Sequence, residues 1–320
     1  MLKRYACVFL LFAAQAQAFE VRAIPDEYEA TTAADLAMNN AGYAANDPHA
    51  GIRVNPALLA GAKAYSVEAG YHWPTSGREF YQAAVVDSKT SNIAAGVSYT
   101  GFTDTYSPEE ALKNVDGNVD STRVRRGIIG FAQAFGNIQA GLGATYIEAN
   151  KLEADPGDTS RIKGTGVNLG ISGALTQELR FGASVENASN RRIADYAPKT
   201  IRVGTAYAFS PQVTGYLDYR QRDRVLPIEG PQAEIGKKIA VIDLTKHPEQ
   251  MVFASLSAQV YDFFRLMGSY GQELSTTRKS LSGGGAVVNK GMSIAYTMSR
   301  PYMANQAAHQ AVSLGVDMAL

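Results

Sequence analysis

The chain ends in "AHQAVSLGVDMAL" (308–320), and the fold is decided by how this stretch is read. From Val312 every second residue is apolar (Val312, Leu314, Val316, Met318, Leu320), with Ser313, Gly315, Asp317 and Ala319 between them. Side chains of a strand alternate between two faces, so this is a strand with one greasy and one small or polar side. Nothing follows Leu320 to cover its edge, and an open apolar edge invites aggregation. The strand therefore needs a partner from elsewhere in the chain.

The same two-residue period recurs upstream. "AYSVEAGYHW" sets Tyr65, Val67, Ala69, Tyr71 and Trp73 against Ser66, Glu68, Gly70 and His72; "NIQAGLGATYI" (137–147), "GVNLGISGAL" (166–175), "LRFGASVEN" (179–187) and "GMSIAYTMS" (291–299) alternate likewise. About fourteen segments are predicted, near 63–73, 79–88, 92–102, 122–134, 137–148, 164–175, 178–187, 199–209, 212–222, 250–260, 262–273, 277–287, 291–300 and 308–320. The second and the twelfth alternate poorly. Most segments are longer than the ~5–6 residues of globular strands and match the ~9–11 that cross a bilayer at a tilt.

The first residues bear on location. "MLKRYACVFLLFAAQAQA" has Lys3 and Arg4, an apolar run from Tyr5 to Ala14 and Ala16-Gln17-Ala18, the three-part pattern of a secretory signal cleaved after Ala18. Cleavage removes the single cysteine, Cys7, so the exported chain has no disulfide framework and no thiolate metal site. It also takes Lys3 and Arg4, leaving 28 of the 30 basic residues against 30 acidic ones, a balance that gives no argument for nucleic acid. No later stretch approaches 18 consecutive apolar residues, so a membrane-spanning helix is not expected.

Connections between the segments are tight at one end ("KTSN", Phe135-Gly136, "TQE", "SPQ", Tyr261-Asp262, "NKG") and long at the other (103–121, 149–163, 188–198 and 223–249). Up-and-down outer-membrane barrels carry this asymmetry. In a bilayer every backbone amide must be satisfied within the protein, so a spanning sheet closes, and the last strand pairs with the first. The expected fold is all-β: a closed antiparallel transmembrane β-barrel of about 14 strands over 63–320, with outer-membrane lipid and lipopolysaccharide outside. Whether "KKIAVIDL" (237–244) is an external hairpin or part of the wall stays open.

On this reading Glu68, His72, Arg180, Glu186, Arg202, Asp218, Arg220, Arg265 and Asp317 face the lumen, as internal salt bridges or as a ligand path. A lumen of fourteen strands is too wide for side chains alone, since about eight strands already fill theirs. Residues 19–62 are the candidate filling. "AADLAMNNAGYAA" (33–45) reads as a short helix, and in "RVNPALLAG" (53–61) Asn55 caps, Pro56 suits the first helical position and Gly61 ends the turn. The histidines (His49, His72, His247, His309) form no metal motif, and no Gly-x-Ser-x-Gly element is present, so neither an enzyme nor a cofactor is expected.

At "ADLAMNNAGYAANDPHAGIRVNPALLAG" (34–61) the chain resembles the FadL-like superfamily of outer-membrane proteins, the matching positions being Asn55, Pro56 and Ala57. "LRFGASVENAS", "PKTIRVGTAYAFSPQ" and "MSIAYTMSRPYMANQAAHQAVSLGVDM" look like strands of its PorV-like and TraF-like branches. The resemblance implies a fourteen-stranded barrel with an N-terminal hatch, moving hydrophobic or small solutes. The alternative it implies is an accessory of a secretion or conjugation system that holds a protein partner on its external loops. Ser313-x-Gly315-x-x-Met318-x-Leu320 resembles the terminal signal read by the outer-membrane assembly machinery, with Leu320 in place of an aromatic residue.

Overall fold

The computed structural model describes residues 32–39, 41–45, 48–61, 63–73, 78–104, 121–152, 159–189, 198–223, 248–274, 279–289, 291–301 and 309–318. Fourteen strands form one closed antiparallel barrel: β1 (Tyr65–Trp73), β2 (Arg78–Asp87), β3 (Ile93–Asp104), β4 (Ser121–Phe135), β5 (Ile138–Leu152), β6 (Thr159–Ala174), β7 (Leu179–Glu186), β8 (Thr200–Ser210), β9 (Val213–Arg222), β10 (Glu249–Tyr261), β11 (Phe264–Glu273), β12 (Lys279–Asn289), β13 (Met292–Pro301) and β14 (His309–Met318). Each pairs with its neighbours in sequence, and β14 closes on β1 in a continuous register from Tyr65↔Met318 to Trp73↔Gln310. The last strand thus has its partner.

The faces follow the alternation. Ile129, Leu142, Leu169, Val203, Leu217, Ile294 and Leu314 point outward, each roughly half exposed, while the intervening residues are buried against the interior. Aromatic rings gather near both rims of this apolar surface. Phe135, Phe209, Tyr261 and Phe263 stand beside the tight turns, and Tyr81, Tyr99, Tyr146, Tyr270 and Tyr296 toward the other end. On β4 the span from Gly127, opposite both Tyr99 and Tyr146, to Phe135 is eight residues, about 26 Å along the strand and ~20 Å at a usual barrel tilt. An apolar band of that height edged by rings matches a bilayer's hydrocarbon layer and its interfaces.

The tight turns lie where the alternation stops, with Gly136 (φ 62°) and Gly291 (φ 83°) supplying backbone that a side chain disfavours. Two boundaries differ from expectation. β5 and β6 run on through 149–152 and 159–163, in unbroken register from Ile138↔Gly173 to Leu152↔Thr159, so most of the connection expected at 149–163 is a hairpin. The signal expected at 1–18, the stretch 237–244 left open between hairpin and wall, and the greater part of the other long connections lie outside the described residues.

Inside the barrel lies a segment in three short pieces: α1 (Ala33–Ala37), α2 (Pro48–Val54) and a 3₁₀ stretch (Pro56–Gly61). The helix expected across 33–45 stops at Ala37, because Asn39 (φ 53°) and Gly42 (φ 89°) take left-handed backbone that a helix cannot continue. Thr32 and Asp35 cap α1 reciprocally. α2 is a helix that the sequence reading left out.

Candidate functional site

The inner segment is held to the wall on all sides. Its apolar anchor is Ile52 and Leu59, packed with Val86, Ala84, Ala94, Ile128 and Ala132 on the inner faces of β2, β3 and β4. Close approach is possible because the wall carries glycine there. A Cβ on Gly96 would come within 2.8 Å of Ile52 Cδ1, and one on Gly130 within 2.8 Å of Leu59 Cδ1. Side chains on Gly141, Gly170 and Gly182 would collide with Pro56, Asn55 and the Tyr43 carbonyl.

Polar anchors do the rest. Ser313 Oγ accepts from the Ala33 amide (3.3 Å), and the Thr297 hydroxyl donates to the Ala33 carbonyl. Ser282 Oγ donates to the Ala37 carbonyl (3.1 Å), Asn39 Nδ2 to Ser269 Oγ (3.1 Å), and Ser184 Oγ to the Val54 carbonyl (2.5 Å). Asn55 is fully buried; its Nδ2 donates to the carbonyls of Tyr43 (3.0 Å) and Ile171 (3.2 Å), while its Oδ1 accepts from the Ala57 amide (3.2 Å). Pro56 and Ala57 follow it, also buried, against Gly141. Within the segment, Arg53 on α2 pairs with Asp35 on α1 (2.5 Å), both buried, which ties its two halves together.

The charged candidates fall into three groups. Asp218 is buried and takes the amides of Gly42 (2.8 Å) and Tyr43 (3.2 Å) on its two oxygens, so one wall carboxylate grips the turn of the inner segment. Gly204, opposite it on β8, leaves room: a Cβ there would collide with Asp218. The second group is a belt toward the end of the long connections. Glu186 bridges Arg202 (2.6 Å) and Arg126; next to it Glu249 joins Arg220 (2.8 Å) and Arg222 (3.4 Å). Arg202 stands 5.6 Å over the Tyr43 ring and Arg220 5.2 Å over Phe253, so the belt also roofs the segment. Buried ions survive only when paired and hydrogen-bonded, and this belt is paired within itself. Glu68 and His72 are buried on β1, His72 edge-on to Phe80 at 4.7 Å.

The third group sits beside the tight turns. Arg180, half-buried, donates Nε to the Ala44 carbonyl (3.4 Å), and Arg265 donates to Gln259 (3.2 Å) at the exposed rim. Asp317 lies on β14 opposite Ser66, its side chain outside the described residues. Sequence reasoning missed Arg126, Arg222, Glu249 and the Asp35–Arg53 pair. Strand parity alone would have turned Arg126 inward, whereas Glu249 fell one residue outside its predicted strand.

No group of three or more His, Cys, Asp or Glu among the described residues is arranged to hold a metal ion. No protein-family model matches the sequence, and comparison with curated proteins finds no match. Solved structures do match. The Ralstonia pickettii toluene transporter TbuX superposes with a TM-score of 0.62 at 15% identity, over 91% of this chain and 98% of that one. A Pseudomonas aeruginosa FadL homologue gives 0.65 at 11%, covering 94% and 99%. The P. putida toluene transporter TodX gives 0.64 at 14%, covering 91% and 98%. This chain has the FadL-type fold. At such identities the likeness is one of backbone.

Proposed function

We propose that the protein is an outer-membrane channel that passes hydrophobic or small solutes, with residues 32–61 as the hatch that closes it. The observation carrying this reading is the inner segment itself: a plug lodged in a closed barrel whose outer face suits acyl chains. Four of its bonds to the wall are single hydroxyl–backbone bonds, each worth only about 1 kcal/mol net. Solved structures that share the fold include two toluene transporters and a monoaromatic hydrocarbon channel, which supports a small, apolar-bodied solute. Export by the 1–18 signal with cleavage after Ala18, and membrane insertion guided by β14, belong to the same reading.

The test is a reversible lock. Ala33→Cys and Ser313→Cys place a thiol pair where the Ala33 amide meets Ser313 Oγ, in a mature chain with no other cysteine. Initial uptake of radiolabelled toluene by cells carrying this variant falls to the level of cells without the protein on oxidation, and returns with reductant. Uptake equal in the oxidised and reduced forms overturns the hatch.

A further inference from the structure

The inner faces of β2 and β3 hold a small patch that neither closes the barrel nor anchors the hatch. Gln82 is 3% exposed and Ser98 2%, and three of their atoms (Gln82 Oε1, Gln82 Nε2 and Ser98 Oγ) are buried without a hydrogen-bond partner. Buried polar atoms are almost always satisfied, and leaving one unpaired is costly. These two are neighbours: Gln82 stands opposite Thr100, and Ser98 is the next inward residue along β3, a diagonal spacing of about 7 Å. The amide has been given a place to lie. It rests over Gly70 of β1, where a Cβ would come within 2.9 Å of Nε2.

One step toward the end of the long connections, Phe80 and Phe102 face each other across the same strand pair, both nearly fully buried. Two aromatic side chains therefore border the Gln82 amide on one side, with the Ser98 hydroxyl on the other, and neither polar group has a hydrogen-bond partner among the described residues. Gln82 offers both a donor and an acceptor, and Ser98 offers either. A hydroxyl group satisfies all three atoms at once, accepting from Nε2 and from the Ser98 hydroxyl and donating to Oε1.

We propose that Gln82 and Ser98 form a recognition site for a small neutral solute that carries a hydroxyl on an apolar body, the body lying against Phe80 and Phe102. This rests on the channel reading and narrows it: the preferred solute is an alcohol or a phenol, not a bare hydrocarbon. A site built to hydrogen-bond a hydroxyl rejects the analogue that lacks it, because its own groups are then left unpaired.

The experiment compares toluene with 4-methylphenol, which differ by one hydroxyl, in equilibrium dialysis against the full mature chain folded in detergent. The wild-type barrel binds 4-methylphenol at least about tenfold more tightly than toluene, the effect of one or two buried hydrogen bonds. Gln82→Leu, similar in size and apolar, removes that difference. Ser98→Ala reduces it, and is the smaller change should Gln82→Leu fail to fold. Equal binding of the two solutes by the wild type, or a preference that survives both variants, overturns the proposal. So does a crystal soaked in 4-methylphenol that shows only water at Gln82 and Ser98. The channel reading fails separately: selective binding without uptake of either solute by cells sinks transport and leaves the site standing, whereas uptake without selective binding sinks the site alone.

Discussion

Asp218→Ala tests what holds the inner segment in place. Asp218 is 2% exposed, and its two oxygens accept the amides of Gly42 at 2.8 Å and Tyr43 at 3.2 Å. Removing the carboxyl leaves two buried N–H groups unpaired at ~1–3 kcal/mol each, offset in part because the wall no longer has to desolvate that group. We expect a net loss of about 3 kcal/mol in docking, which multiplies the undocked population roughly 150-fold. Asp218→Asn keeps one acceptor and turns an amide toward the other N–H, so it loses about half as much. Hydrogen exchange in detergent reads this directly, since local opening exposes the Gly42 and Tyr43 amides without unfolding the strands. Exchange at those two amides rises by about two orders of magnitude in Asp218→Ala and about one in Asp218→Asn, while the ladders of β8, β9 and β10 keep their protection. A rise below threefold, or equal acceleration of those ladders, shows that Asp218 supports the wall and not the segment.

Two further outcomes check the wall. Glu186→Gln leaves the buried guanidiniums of Arg202 and Arg126 without their shared carboxylate, and costs ~3–5 kcal/mol in guanidinium unfolding; a change under about 1 kcal/mol refutes a structural role for the belt. Ile129, half exposed on β4 between Val97 and Ala144 in the middle of the outer face, becomes a buried charge in a bilayer when replaced by arginine. Ile129→Arg lowers folding stability in vesicles by ~2–4 kcal/mol, and a variant as stable as the wild type contradicts the membrane setting of that face.

Much of the wall was legible because one constraint dominates it: a strand with lipid outside and a polar interior must alternate. Where the interior is not polar, the signal fades for a physical reason. β2 reads poorly because its inner residues Phe80, Ala84 and Val86 are apolar too, the last two packing on Ile52 and Leu59 of the inner segment. β12 reads poorly because Gly283, Gly284 and Gly285 show no side chain to either face. The inner segment was legible as a capped turn at Asn55-Pro56 but not as three pieces, since Asn39 and Gly42 set its path by backbone conformation. Partnerships such as Glu186 with Arg126 join residues far apart in sequence. Parity turns both inward, but only the register of the closed sheet brings them together.

The anchors differ in kind along the inner segment. Most bonds between segment and wall pair a serine, threonine or asparagine side chain with a backbone group, through Ser184, Ser282, Thr297, Ser313 and Asn55, and Asn39 adds a side-chain bond to Ser269. Neutral bonds of this kind exchange readily for water, so losing one costs little once the site is wet. The Asp218 carboxyl, the Arg180 guanidinium on the Ala44 carbonyl and the apolar seat of Ile52 and Leu59 are the exceptions; the first two hold the turn at 42–44 and the third holds the stretch from 52 to 59. Release at Asp218 frees the turn at Gly42 while the α2 and 3₁₀ pieces stay seated on β2, β3 and β4. On the channel reading proposed above, opening is expected as a swing of the segment from its apolar seat and not as its departure from the barrel as a body. In Asp218→Ala the amides of 33–45 should lose protection while those of 52–60 retain it, and uniform loss across both halves would exclude a swing.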